Sequence, residues 1–231
     1  LQLFDMLHSM RQFDDLTYVH SVNVALIASI LGQWLKFSEK DIRILTISGL
    51  LHDIGKIMIP NEILTKPGKL TVAEYNIMKQ HVNFGYEKVK NQNIDIRIKE
   101  ACLLHHEKCD GTGYPFGLKS DQIPAVAKII AIADVYDAMT SARVYRGALC
   151  PFEVIDTMYK DAFTKFEPEY ILPFLKNVAS SYINNDVRLS DGRIGKVVLI
   201  NENALSLPIV QCEDEFIDLS KTRGLTVSAI L

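Results

Sequence analysis

Apolar positions recur at spacings of three and four from the start of the chain to about residue 180, after which the period shortens to two. The first regime predicts helices and the second strands. Val19, Val22, Leu26, Ile30 and Trp34 mark one face of a helix that Gly32 helps to end. Ser38 with Asp41 three residues on resembles a capping box, opening a helix through Ile42, Leu45, Ile47, Leu50 and Leu51. Thr71 and Glu74 repeat that signal ahead of Tyr75, Met78, Val82 and Tyr86. A fourth helix covers about Ile94 to Glu107 and a fifth begins near Pro124. Pro151 and Pro168 open the last two, since the fixed φ of proline suits a first helical turn.

Beyond residue 182, Asp186 to Ser190 and Arg193 to Ile200 alternate like two strands joined at Asp191-Gly192. Strand-like pieces follow at Leu207 to Gln211, Glu215 to Leu219 and Leu225 to Leu231. The expected organisation is a mainly α protein: a helical domain over residues 1–181 and a small antiparallel β extension over 182–231. An extension of that size is near the lower limit for independent folding, so it is expected to lean on the helices.

Composition narrows the function classes. With 231 residues, 48% hydrophobic and 23% charged, the chain is neither disordered nor a disulfide scaffold. A formal charge of -3, with Lys and Arg scattered, leaves no basic face for a DNA or RNA polymer. The longest apolar run, Val24 to Leu31, is far short of the roughly 20 residues a membrane helix needs, so no membrane span is expected. Cys102, Cys109, Cys150 and Cys212 are too widely spaced for a metal knuckle, and a reducing, cytoplasmic setting fits them best. Residue 1 is Leu, and the apolar start (Leu1, Leu3, Phe4, Met6, Leu7) reads as an amphipathic helix rather than a signal peptide. The chain is expected to be cut from a longer one with an upstream sensory region. That first helix has two candidate partners, a second copy in a homodimer or its own domain.

The informative feature is where the histidines fall. Of six, His20, His52, His81, His105 and His106 sit on or at the ends of expected helices, and only His8 lacks a suggestive neighbour. A bundle builds a metal site by pointing ligands inward from facing helices. His52-Asp53 supplies an imidazole beside a carboxylate able to bridge two ions. His105 and His106, about 100° apart on a helix, both reach one ion only if the local backbone allows it. Asp134 lies in the apolar stretch Ile129 to Val135, where an unpaired carboxylate is costly to bury and a metal removes the cost. Any one of these histidines alone is more readily a core or surface residue; five with two aspartates make that account weak.

In order along the chain, His20, the run Gly49-Leu-Leu-His52-Asp53-Ile-Gly-Lys56, His81, the string His105-His106-Glu107-Lys-Cys-Asp110-Gly111-Thr-Gly113-Tyr114-Pro115, and Asp134-Val-Tyr-Asp137 resemble the HD-GYP family. These are metal-binding hydrolases of the HD superfamily that act on cyclic di-GMP, and the match covers about residues 10–170. The resemblance implies an HD-type helical bundle and two divalent metal ions, iron first and manganese next. By matching positions, His20, His52, Asp53 and Asp134 hold one ion, and Asp53, His81, His105 and His106 the other. Spacing alone leaves Asp137 a competitor of Asp134, and only the family pattern favours Asp134. Relatives with a third ion carry a Glu one turn before the first His; Leu16 stands there, so two ions are expected.

Two cations lower the pKa of a bridging water to give hydroxide and neutralise a phosphodiester during in-line displacement. Asp53 is then catalytic as the shared ligand. Lys56, read as lying four residues on along the His52 face, is expected to donate to the phosphate or protonate the leaving ribose oxygen. Arg143 and Arg146 match the family's phosphate-gripping pair, although Ala142 and Val144 depart from its pattern. By resemblance Gly113, Tyr114 and Pro115 shape the substrate mouth or a partner surface, with Tyr114 a candidate to stack on guanine. Glu107 and Asp110 are expected to orient a ligand imidazole. The resulting reading is a phosphodiesterase that opens cyclic di-GMP to pGpG, with the second cut to GMP left open. Its alternatives are the same metal site acting on another cyclic dinucleotide or nucleotide, and a weakly active cyclic-di-GMP-binding signalling module.

Overall fold

The computed structural model describes residues 8, 10–12, 14–141 and 148–231. They are mainly helical, with a small antiparallel sheet at the C-terminal end. The chain groups into two compact units, Leu1–Ala138 with Thr164–Tyr170, and Met139–Phe163 with Ile171–Leu231.

In the first unit, α1 (Asp15–Trp34) packs along α2 (Glu39–Leu51). Asp14 caps α1 through the amide nitrogens of Leu16 and Thr17, and Ser38 caps α2 through that of Asp41. The face of α1 turned inward is not the expected one. Thr17, Ser21, Val24, Ala25, Ala28, Leu31 and Gly32 are buried, whereas Val19, Leu26 and Ile30 are 53%, 57% and 43% exposed. The helix is apolar on two sides, and the side with smaller residues allows the closer approach: a Cβ on Gly32 would lie 2.8 Å from Cδ1 of Leu45. Nor does Gly32 stop the helix. It sits inside α1, and its carbonyl accepts from the N–H of Phe37 while Gln33 accepts from Lys36, which takes the left-handed conformation at φ 59°.

By length and composition α1 alone among the described helices could cross a membrane, with a mean hydropathy of 1.2. Its inner face buries Thr17 and Ser21 and brings His20 to Asp134 of the same unit, which marks a core helix.

After α2 the chain turns through a short 3-10 helix, Ile54–Met58, and a one-turn helix, α3 (Asn61–Leu64). The expected third helix is two: α4 (Val72–Met78) and α5 (His81–Val89) are separate, with Lys79 and Gln80 between them. Thr71 and Glu74 form a complete capping box for α4. Helix α5 packs on the 3-10 helix so closely that a Cβ on Gly55 would strike the carbonyl of His81 and the amide nitrogen of Gly85. Then follow α6 (Ile96–Leu104), against α2 and α5, and α7 (Ala125–Thr140). Leu45, Leu51, Ile54, Val82, Ala101, Ile129, Ile130, Ile132 and Ala133 are buried.

In the second unit, α8 (Pro151–Asp161) buries Phe152, Val154, Ile155 and Met158 and packs on a five-stranded sheet. Phe152 meets Tyr182, just past the end of α9 (Pro168–Ser181), with ring centroids 5.6 Å apart. The strands are β1 (Asp186–Leu189), β2 (Ile194–Leu199), β3 (Ile209–Cys212), β4 (Glu215–Asp218) and β5 (Val227–Ile230). They run in the order β4-β3-β2-β1-β5, and every neighbouring pair is antiparallel. Val187, Leu189, Val197, Val210 and Val227 turn to the buried side. The strands group with α8 and most of α9 rather than standing as a unit of their own.

Candidate metal centre

Each histidine of the first unit arrives at its position for a local reason. Helix α2 stops at Leu51, so His52 is its C-cap and Asp53, at φ -98° and ψ 9°, turns the chain into the 3-10 helix. His81 opens α5, a position created by the break after Met78. Helix α6 ends at Leu104, which frees His105 and His106 from helical spacing and brings their ring centroids to 4.2 Å. His20 lies in the second turn of α1 and Asp134 in the interior of α7.

These groups converge. Asp53, His81, His105 and His106 each offer one ligand atom within 4.8 Å of the others, and so do His20, His52 and Asp134. The two oxygens of Asp53 face different partners. Its Oδ2 lies 3.7 Å from Nε2 of His20 and 3.3 Å from Nε2 of His52, and its Oδ1 lies 3.3 Å from Nε2 of His81 and 4.0 Å from Nε2 of His105. His20 Nε2 is 3.0 Å from Oδ1 of Asp134, and His106 Nδ1 is 3.8 Å from Oδ2.

Three rings are held the same way. The Nδ1–H of His52 donates to the carbonyl of Gly49 at 2.8 Å, that of His81 to Met78 at 2.8 Å, and that of His105 to Ala101 at 2.9 Å. With the proton on Nδ1, each Nε2 presents a lone pair inward. Nε2 of His81 and Nε2 of His105 then face each other at 3.4 Å with no donor between them. Nε2 of His52 and Oδ1 of Asp53 are buried without a hydrogen bond. Orphaned buried acceptors pointing at one another are costly unless a cation stands among them. Neutral imidazoles with carboxylates fit a divalent transition metal.

Electrostatics agree with that assignment. Burial, with the other imidazoles beside them, keeps His81 and His105 below the ordinary histidine pKa, His105 well below, and burial holds His106 at about 3. Burial would raise the pKa of Asp53, but Lys56 and His52 hold it well below the usual carboxylate value. Asp134 is likewise held low against burial by its contact with His20. His20 differs: burial favours its neutral form, yet hydrogen bonds to Asp134 and Asp137 raise it to about 9.

Other expected site residues fall in varied places. Lys56 is not one helical turn from His52; the 3-10 helix brings its Nζ to 2.5 Å from Oδ2 of Asp53. Tyr114 stacks on His106, centroids 4.7 Å apart at 28°. Gly113 allows this, because a Cβ there would lie 2.5 Å from Cα of Glu107 and 2.6 Å from the carbonyl of His106. Pro115 follows Tyr114 through a cis peptide. Glu107 does not touch an imidazole: its buried carboxylate accepts the amides of Phe116, Gly117 and Leu118 at 2.7, 3.2 and 2.9 Å. Asp110 accepts from Thr112 at the surface. Arg143 and Arg146 lie outside the described residues. Sequence reasoning missed Asn23, Tyr75 and Lys79. Asn23 sits three residues after His20, a spacing that could have flagged it.

Comparison with known proteins follows the same lines. The HD domain profile matches residues 6–170. The cyclic di-GMP phosphodiesterase PA4108 of Pseudomonas aeruginosa is 38% identical over 199 residues, covering 86% of this chain and 48% of that protein. The 3'3'-cGAMP-specific phosphodiesterase 2 of Vibrio cholerae is 36% identical, covering 67% and 30%. The chain thus spans about half, or less, of the length of the curated relatives it matches. Among solved structures, the HD domain of the phosphodiesterase PgpH of L. monocytogenes, in complex with cyclic-di-AMP, aligns with a TM-score of 0.59 at 18% identity. The alignment covers 77% of this chain and 95% of that one, a likeness of fold. With the matching profile over residues 6–170, relatives at 36–41% identity, and the chain's own His-Asp and Gly-Tyr-Pro strings, the chain belongs to the HD domain family and to its HD-GYP branch.

Proposed function

We propose that the chain is a metal-dependent phosphodiesterase that opens cyclic di-GMP to pGpG, or cuts it on to GMP. The observation that carries the reading is the inward-facing set of ligand atoms around Asp53, two of which, Nε2 of His52 and Oδ1 of Asp53, are buried without a hydrogen bond. In this reading His20, His52, Asp53 and Asp134 hold one ion and Asp53, His81, His105 and His106 a second, with iron preferred and manganese next. Leu16 offers no ligand for a third.

When bound, the ions supply an activated water and offset the charge that the phosphodiester gains. The chain's own residues do the rest. Asp53 holds both halves of the centre in one register through its two oxygens. Lys56, with its Nζ against Asp53, is the donor to the phosphate or to the departing ribose oxygen. Tyr114 covers one face of His106 and walls the centre on that side. Arg143 and Arg146 are assigned to grip the phosphates, a role guanidinium forks suit. A cytoplasmic setting belongs to the same reading.

Anaerobic incubation of Fe(II)- or Mn(II)-loaded protein with cyclic di-GMP, with Asp53→Ala as control, tests it. Appearance of pGpG or GMP from the parent alone is expected; no product despite two bound ions per chain overturns it. Turnover of 3'3'-cGAMP in preference to cyclic di-GMP would select the second reading, which the similarity to a cGAMP-specific relative favours.

A further inference from the structure

Helix α4 contributes nothing to the core. None of its residues is buried, yet it is fixed by the Thr71–Glu74 capping box and by Lys66, whose Nζ lies 2.7 and 2.8 Å from the two oxygens of Glu74. A helix held firmly that buries none of its residues serves the surface it presents. Toward the metal centre that surface is Tyr75, 48% exposed, whose ring stands edge-on to Tyr114 with centroids 6.5 Å apart. Tyr114 in turn stacks on His106. Just past the helix, half-buried Lys79 holds its Nζ over both tyrosine rings, 5.3 Å from the centroid of Tyr75 and 6.0 Å from that of Tyr114. His106, Tyr114, Tyr75 and Lys79 thus form a continuous wall that leads outward from the donor cluster.

We propose that Tyr75 and Lys79 form the base-binding shelf of the site and that it takes a guanine ring; this rests on the reading that the substrate is a cyclic dinucleotide. One face of Tyr114 is already taken by His106, so Tyr114 is the pillar between phosphate and base, and Tyr75 provides the stacking surface. The ammonium of Lys79 is a donor without acceptor capacity. It matches the N7 and O6 acceptors of guanine and mismatches the N6 amino group of adenine.

The test uses the full chain loaded with Mn(II), titrated calorimetrically with GMP and AMP, nucleotides that carry the base but no diester to cleave. Tyr75→Ala is expected to weaken GMP binding about five- to a hundredfold, while Tyr75→Phe stays near the parent. Lys79→Met is expected to erase about a tenfold preference for GMP over AMP. Metal content should be the same in all four proteins, which separates a shelf from a structural role. Equal GMP affinity in parent, Tyr75→Ala and Lys79→Met, or no GMP binding by the parent, overturns the shelf. If the parent still cleaves cyclic di-GMP in that case, the phosphodiesterase reading stands without it. If the parent cleaves no cyclic dinucleotide but binds GMP through Tyr75 and Lys79, the shelf stands and the phosphodiesterase reading falls.

Discussion

Nδ1 of His20 lies 2.6 Å from Oδ2 of Asp137, and Asn23 donates to the other oxygen of that carboxylate at 2.9 Å. Asp137 therefore grips the outer edge of the ring whose inner edge, Nε2, faces Asp134. A carboxylate behind an imidazole fixes its orientation and raises its basicity. The two aspartates, which spacing alone does not separate, occupy different positions: Asp134 among the inward-facing donors and Asp137 behind His20.

Asp137→Ala is accordingly expected to lower metal affinity about ten- to hundredfold without unfolding the protein. Metal content after dialysis against graded chelator measures this. Retention equal to the parent would remove Asp137 from the positioning role.

Metal uptake should release protons. In the metal-free protein His20 keeps its proton to about pH 9, and a ligand imidazole must be neutral. About one proton per chain is expected at pH 7.5 from His20. Calorimetry in buffers of different ionisation enthalpy counts it; zero release excludes His20 as a ligand.

The same groups set how the metal-free fold responds to pH. His20 has its pKa raised above the unfolded value of 6.5, so its contribution is complete below 6.5 and is lost as pH rises through about 9. His106, lowered to about 3, acts oppositely: the unfolded chain binds its proton first, and stability falls as pH drops from 6.5 toward 3. His81 and His105, also lowered, steepen that acid limb. Thermal melting of the metal-free protein should peak near pH 6.5 and decline on both sides. A flat profile from pH 4 to 7 would falsify the buried, neutral state assigned to these imidazoles.

Glu107→Ala should cost about 1–3 kcal/mol, because the amides of Phe116, Gly117 and Leu118 lose the one buried carboxylate that accepts all three. The variant should also release Tyr114 from His106, visible as a change in near-ultraviolet circular dichroism. A loss of stability under about 0.5 kcal/mol would mean water replaces the carboxylate without penalty.

Gly55→Ala is expected to reduce both stability and metal content, since the added methyl group meets main-chain atoms of His81 and Gly85 that cannot swing aside. Normal metal content in a folded Gly55→Ala protein would show that the 3-10 helix and α5 can separate without moving His81.

Much of this centre is legible in the chain because metal ligands are polar residues in otherwise apolar helices. His20 and Asp134 stand out for that reason, and His105-His106 through the long string that follows them. Which face of α1 turns inward is not legible: Val19, Leu26 and Ile30 are larger and more apolar than Ser21, Ala25 and Ala28, yet the close packing against Leu45 selects the smaller set. The break at Lys79-Gln80 escapes notice too, since Tyr75, Met78, Val82 and Tyr86 keep helical spacing across it. Glu107 next to two histidines reads as their partner, and only the fold of the loop sends its carboxylate to the 116–118 amides. The strands fall near their expected places, because alternation and the Asp191-Gly192 turn are local signals.

His52, His81 and His105 are each oriented by a main-chain carbonyl, whereas His20 is oriented by the side chain of Asp137, itself held by Asn23. A carbonyl cannot be mutated away, so the three rings keep their aim through any substitution that leaves their helix ends intact. The ring of His20 can be re-aimed or made less basic by one change behind it. Tuning of metal preference among descendants of this sequence should therefore accumulate on the His20 side of Asp53, while the opposite side stays fixed.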